Sequence, residues 1–241
     1  MKKLILLILP LIFLTSCQIT EEVYFRKNGS GTYNMKINMS GMTGMFKDVV
    51  KKDSLHKDKA PKKYDTLIVF ADVYQKNKDS IEKLPKEKQE FFESLKDAKM
   101  RMHLDEAKDE MYITYEIPFS DIDELANVDQ KLQQFNALNK NGSKGMDNMI
   151  PGYKVSYEFD QRHFRRKVTK LKDSTQNKAS DKEQFLKMVQ YKMIYHFPYK
   201  IDEVSYKNAL LGADGKSVHI IMPLDSLLKN KDLLNFKVTF R

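Results

Sequence analysis

The chain predicts an α+β fold, with antiparallel sheet or sheets and helices packed on one face, built from repeated hairpin-then-helix (ββα) units. Three observations carry that expectation. Apolar residues alternate at period two in several short runs, as with Tyr33, Met35, Ile37 and Met39 against Asn34, Lys36 and Asn38. Turn residues join neighbouring runs into hairpins. The same grammar of strand end, apolar residue and helix-capping side chain recurs at Ile37-Asn38-Met39-Ser40, Ile117-Pro118-Phe119-Ser120 and Met222-Pro223-Leu224-Asp225. Strands alternating this cleanly are half buried, so one face must be covered while the other stays wet.

In chain order, Val23-Tyr24-Phe25 leads through Asn28-Gly29, a pair suited to positive φ, into the run ending at Met39. Ser40 caps an expected helix with Met42, Met45, Phe46, Val49 and Val50 on its apolar side. Residues 51–63 read as a charged linker and residues 65–70 as a β-branched strand. Residues 79–99 read as helix, with Pro85 breaking it or opening its second segment. A second hairpin pairs Met100, Met102 and Leu104 with Met111, Ile113, Tyr115 and Ile117. Pro118 is expected to end that strand, and the box Ser120-x-x-Asp123 to open a helix with apolar Ile122, Leu125, Val128 and Leu132.

Residues 139–150 are the best boundary, because Asn-Lys-Asn-Gly-Ser-Lys-Gly has nothing apolar to bury. They divide the body into a first α+β half, residues 23–138, and a second, residues 151–241. The second half repeats the plan. Tyr153, Val155, Tyr157 and Phe159 alternate, residues 164–171 return, residues 181–190 look helical, and Tyr191, Met193, Tyr195 and Phe197 alternate again. Val218, Ile220 and Met222, a helix start at Pro223-Leu224-Asp225, and Leu234, Phe236, Val238 and Phe240 complete it.

The amino-terminal stretch is of another kind. Lys2 and Lys3 precede an apolar run of 11 residues, Leu4 to Leu14, interrupted only by Pro10. At about 1.5 Å per residue such a run covers roughly half of a ~30 Å hydrocarbon core, so it cannot span and reads instead as an export signal. Leu14-Thr15-Ser16-Cys17 resembles the lipobox of bacterial lipoproteins. The resemblance implies cleavage of residues 1–16 and acylation of Cys17, and residues 17–22 are then expected to be a lipidated polar tether. Two acyl chains suffice for stable anchoring.

The mature chain would hold 40 basic against 33 acidic side chains, a net charge of +7 once Lys2 and Lys3 are removed. An exported chain does not meet nucleic acid, so acidic envelope glycans and phospholipid head groups are the polyanions within reach. Cys17 is the only cysteine, so no disulfide staples the fold. The five histidines lack metal-ligand spacing, no nucleophile elbow occurs, and Asp121, Asp123 and Glu124 read as a helix start. No catalytic residue, metal site or cofactor is expected. The densest positive patch is Arg162, His163, Arg165, Arg166, Lys167, Lys170 and Lys172. Two readings stand: an edge strand protected by its charges, or an anionic-ligand site on Arg162, Arg165, Arg166, Lys167 and Lys170. In a strand, Arg162, Arg166 and Lys170 would share one face and Arg165 and Lys167 the other.

The lipobox, the start Cys-Gln-Ile-Thr-Glu-Glu with Asn-Gly-Ser-Gly-Thr-Tyr, and Asp-Ser-Ile-Glu-Lys-Leu-Pro-Lys-Glu at positions 79–87 resemble an uncharacterised family of Bacteroidetes lipoproteins. That resemblance implies a lipoprotein of the cell envelope, at the outer membrane on its periplasmic or surface face, and carries no known activity. The expected function is non-catalytic binding or scaffolding, with the membrane, through acylated Cys17, and an unidentified envelope protein or lipid as partners. A carrier of a lipid or amphiphile held between sheet and helices is the alternative, and an envelope hydrolase the alternative of another class.

Overall fold

A computed structural model describes residues 17–40, 63–138, 153–170 and 186–241. Strands β1 (Gln18–Phe25) and β2 (Gly31–Asn38) form the first hairpin. Gly29 takes φ 83° at its tip, and Asn28 Oδ1 accepts from the Ser30 amide and hydroxyl at 3.2 and 2.8 Å. Gly31 is obligatory for another reason: a Cβ there would lie 2.0 Å from the Tyr24 carbonyl oxygen and 2.4 Å from Phe119 Cζ. The helix expected after Ser40 and the linker at residues 139–150 lie outside the described residues.

Strand β3 (Lys63–Val69) is followed by three short helices, α1 (Phe70–Lys76), α2 (Lys78–Ile81) and α3 (Lys86–Ser94), the last opened by Pro85. Strands β4 (Lys99–Asp105) and β5 (Glu110–Phe119) pair as expected. β5 nevertheless runs through Pro118, because β4 ends opposite Glu116 and asks nothing of the missing N–H. Helix α4 (Ile122–Leu138) is capped one residue later than the sequence suggested. Asp121 Oδ1 accepts the Glu124 amide at 2.8 Å while Glu124 Oε2 accepts the Ser120 amide at 2.8 Å.

Strands β6 (Tyr153–Phe159), β7 (His163–Lys170), β8 (Gln190–His196), β9 (Ile201–Val204), β10 (Leu210–Leu211) and β11 (Ser217–Pro223) follow. Helix α5 (Leu224–Lys229), a 3-10 turn and β12 (Phe236–Phe240) close the chain. Eight strands make one sheet, in the order β10-β11-β8-β1-β2-β5-β4-β3, and four make a second, β6-β7-β12-β9.

Three expectations change. The large sheet is mixed, because β1 pairs parallel with β8 from Gln18↔Gln190 to Tyr24↔His196. The strands on either side of residues 139–150 therefore share one sheet. Residues 18–22 are not a tether but the first part of β1. Ile19, Glu21, Val23 and Phe25 all point inward, and Glu21 hides the start of the strand because a carboxylate there looks exposed in sequence. The cover is not a helical layer alone. The four-stranded sheet, flanked at β6 by α4, packs on the inner face of the large sheet. Hairpin-then-helix order is visible at β4–β5–α4 and at β10–β11–α5, but β10 has two residues, and the interleaving of β1 with β8, rather than a repeat, organises the sheet.

The two sheets meet over aromatic side chains. The Phe25 ring lies 4.9 Å from Phe159, 5.4 Å from Phe164 and 5.5 Å from Phe197, and Tyr195 and Phe236 are 5.1 Å apart. Rings at these separations bury large areas and prefer tilted or offset contacts, so this cluster holds the layers together at the far end from Cys17.

Candidate functional site

Strand β7 sorts its charges by parity. Phe164, Arg166 and Val168 face inward and are buried, whereas Arg165, Lys167 and Thr169 face outward and are exposed. β7 lies between β6 and β12, so it is an interior strand, and the edge-protection reading of its charges does not apply.

Arg166 is withdrawn from any surface. Its guanidinium is 0% exposed and reaches Glu21 Oε2 of β1 at 3.4 Å, with Glu21 itself 1% exposed. Arg166 Nη1 donates to the Leu234 carbonyl at 3.0 Å, and the Tyr157 ring centroid lies 5.9 Å from the guanidinium carbon. On the other side, Tyr191 donates its hydroxyl to Glu21 Oε2 at 2.6 Å and Tyr195 donates to Glu21 Oε1. Burial holds the Tyr195 hydroxyl well above the usual tyrosine range; the Arg166 charge pulls it down, and the Glu21 charge and its hydrogen bond add to the rise. The cluster is a neutralised ionic bridge between the two sheets.

The outward side of the same sheet is matched only in part. Lys237 of β12 stands directly opposite Arg165, Ser156 of β6 opposite Lys167, and Lys154 of β6 opposite Thr169. Glu158 Oε1 sits 3.5 Å from Arg165. Among the described residues, no carboxylate comes within ion-pair distance of Lys154, Lys167 or Lys237. Opposed residues on a sheet face have Cβ atoms about 5 Å apart, and like charges there repel. The exposed face of the large sheet is different. Arg101 grips Asp65 at 2.8 and 2.7 Å, holding that carboxyl down at about 2. Lys99 meets Glu116 at 3.0 Å, and His196 meets Glu22 at 2.8 Å while stacking on Tyr24. One outer face neutralises itself; the other sets Lys154, Arg165, Lys167 and Lys237 against Glu158 and Glu203.

Of the residues singled out in the sequence, Arg165 and Lys167 belong to this face. Arg162 is exposed in the turn before β7, where Asp160 Oδ1 accepts its amide at 2.6 Å. Lys170 closes β7 opposite Tyr153, and its side chain lies outside what is described. Lys154 and Lys237 escaped notice because strand register, not sequence proximity, brings them to β7. Glu21 was legible as an inward position, had the alternation from Ile19 to Phe25 been extended over it.

Cys17 immediately precedes β1, its carbonyl accepting the Gln190 amide at 2.9 Å. Its side chain is buried, which pushes the thiol up to about 11. No group of three or more candidate metal ligands occurs among the described residues, and no described helix is long and apolar enough to cross a membrane.

No protein-family model matches this chain, and no curated protein matches it. Among solved structures, it is similar to the NMR structure of the folded domain of Mycobacterium tuberculosis LppM, with a TM-score of 0.41 and 6% identity over 94% of this chain and 90% of that one.

Proposed function

We propose that the protein is a lipid-anchored, non-catalytic binding module of the bacterial cell envelope, which takes anionic ligands on the exposed face of its four-stranded sheet. The anchor reading rests on the signal-like residues 1–16 and the lipobox that ends at Cys17. The binding reading rests on one observation: Lys154, Lys167 and Lys237 gather with Arg165 on an exposed face, and those three lysines have no carboxylate partner among the described residues. Mutual repulsion of these cations is relieved by a polyanion laid across them. A lipid carrier would need space between the layers, and the rings of Phe25, Phe159, Phe164 and Phe197 occupy it at the far end.

Acylation requires the Cys17 side chain to turn out of the core in which it is buried. Growth on labelled palmitate tests the anchor. Label on the wild type and none on Cys17→Ser is expected, and an unlabelled wild type refutes it. Binding is tested with a soluble polyanion, polyphosphate. The Lys154→Ser/Lys167→Ser/Lys237→Ser variant is expected to lose at least tenfold in affinity, and unchanged affinity removes the face from the mechanism.

A further inference from the structure

We infer that the basic face is turned away from the bilayer that anchors the chain, and that its partner is an acidic polysaccharide rather than the head groups of that bilayer. This rests on the anchor reading of Cys17 and adds to it the direction in which the domain is held.

The first step is the missing spacer. β1 begins at Gln18, so no flexible residue separates the acylated position from the sheet. The second is the layer to which that position belongs. Cys17 leads into the eight-stranded sheet, whereas the basic face is the far side of the four-stranded one. β1 and β7 lie over one another, since Glu21 meets Arg166 and the Phe25 ring lies 5.4 Å from Phe164. Packed sheets are about 10 Å apart, and the outward lysine side chains add to that thickness. Laying the basic face on head groups would lift Cys17 more than ~10 Å above them, while a diacylated sulfur must sit at the boundary of the acyl chains. Both cannot hold at once.

The same contacts set the height of the cations. Phe164 is level with Phe25 and Arg166 with Glu21, so β7 descends toward the anchor as β1 rises from it. Arg165 and Lys237, opposite each other, are therefore level with Val23, about 20 Å along β1 from Cys17 at ~3.3 Å per residue. With screening over about 8 Å at physiological salt, that pair lies beyond the reach of the anchoring surface when β1 stands upright.

The shape of the face selects the ligand. It is a strip of three strands at about 4.8 Å spacing, with cations on each, Glu158 at one end and the exposed residues Ser156 and Thr169 between them. A linear chain carrying a carboxylate on successive sugars, and hydroxyls between them, meets both features. A compact phosphate would want a closed cradle instead.

The test uses the lipidated full-length protein reconstituted into phosphatidylcholine vesicles, with and without phosphatidylglycerol. Amine labelling of Lys237, read by mass spectrometry, is expected to be the same in both. In a variant with about ten Gly/Ser residues inserted between Cys17 and Gln18, a reach of roughly 17 Å, phosphatidylglycerol is expected to protect it. Polygalacturonate is expected to bind the wild type on phosphatidylcholine vesicles and to lose at least tenfold in Lys167→Ser/Lys237→Ser. Protection of Lys237 by phosphatidylglycerol in the wild type overturns the orientation, and absence of polygalacturonate binding overturns the ligand. A protein that carries no acyl label and is not retained on vesicles marks the separate failure of the anchor reading.

Discussion

Arg165 and Arg166 are consecutive in the chain and opposite in circumstance. Arg166 points between the sheets, fully buried, against the Leu234 carbonyl and a Glu21 carboxylate whose two oxygens also accept from Tyr191 and Tyr195. Arg165 points to solvent among other cations, with Glu158 as its counter-charge. A strand's period of two sends neighbouring charges to places where the same guanidinium has different consequences. Inside, its removal strands a buried carboxylate. Outside, its removal costs the fold almost nothing and the surface potential a good deal.

The inner side should therefore break first and hardest. Arg166→Ala leaves Glu21 charged and unpaired in the core, a loss of about 3–5 kcal/mol. For a domain of this size that lowers the melting temperature by roughly 10 °C, measurable by circular dichroism. The double variant Glu21→Leu/Arg166→Met removes both charges and should recover a large part of that loss, since the two residues act as one unit. Additive effects of the two single changes would show that the bridge is not a unit. Replacing Arg165 and Arg166 together would confuse stability with binding, so the two must be changed separately.

Tyr195→Phe probes the same cluster more gently. It withdraws one donor from Glu21 Oε1 and keeps the ring against Phe236, at a cost of about 1–3 kcal/mol in denaturant unfolding. A change below the error of that measurement would mean that Tyr191 and Arg166 alone satisfy the carboxylate.

Much of this architecture was legible in the chain. Alternation located nearly every long strand, because half-buried strands write their burial at period two, and Pro85 and Asp225 marked helix starts. What escaped was set by tertiary context. The parallel union of β1 with β8 depends on partners some 170 positions apart, which no local pattern encodes. Glu21 looked like tether because a carboxylate on an inward position is read as polar until its partners are known. The basic patch was found at β7 but only in part, since Lys154 and Lys237 reach it through register. Parity puts Arg166 on the face opposite Arg165 and Lys167, but that this face is the buried one shows only once its partner Glu21 is known.

The alkaline limb separates the two sides without a mutation. The folded-state pKa of Tyr195 is raised by burial and by Glu21, so its stabilising contribution is fully present below the ordinary tyrosine value near 10 and is lost as pH rises through the folded value. Stability measured from pH 9 upward should therefore fall, and Tyr195→Phe should flatten that fall. An identical slope in both proteins would place the alkaline lability elsewhere.

The smallest effect on the fold is expected on the outer side. Lys167→Ser and Lys237→Ser each remove an exposed charge with no carboxylate partner among the described residues, so unfolding free energies should stay within about 0.5 kcal/mol of wild type. Removing Lys237 also relieves its repulsion with Arg165, so a slight gain in stability at low ionic strength, fading as salt is added, is the sharper form of the prediction. A loss comparable to that of Tyr195→Phe would mean that these lysines serve the packing, and the distinction between the two sides of β7 would fail. A neutral or stabilising effect together with weaker polyanion binding is the signature of a face kept charged for a ligand at the expense of the fold.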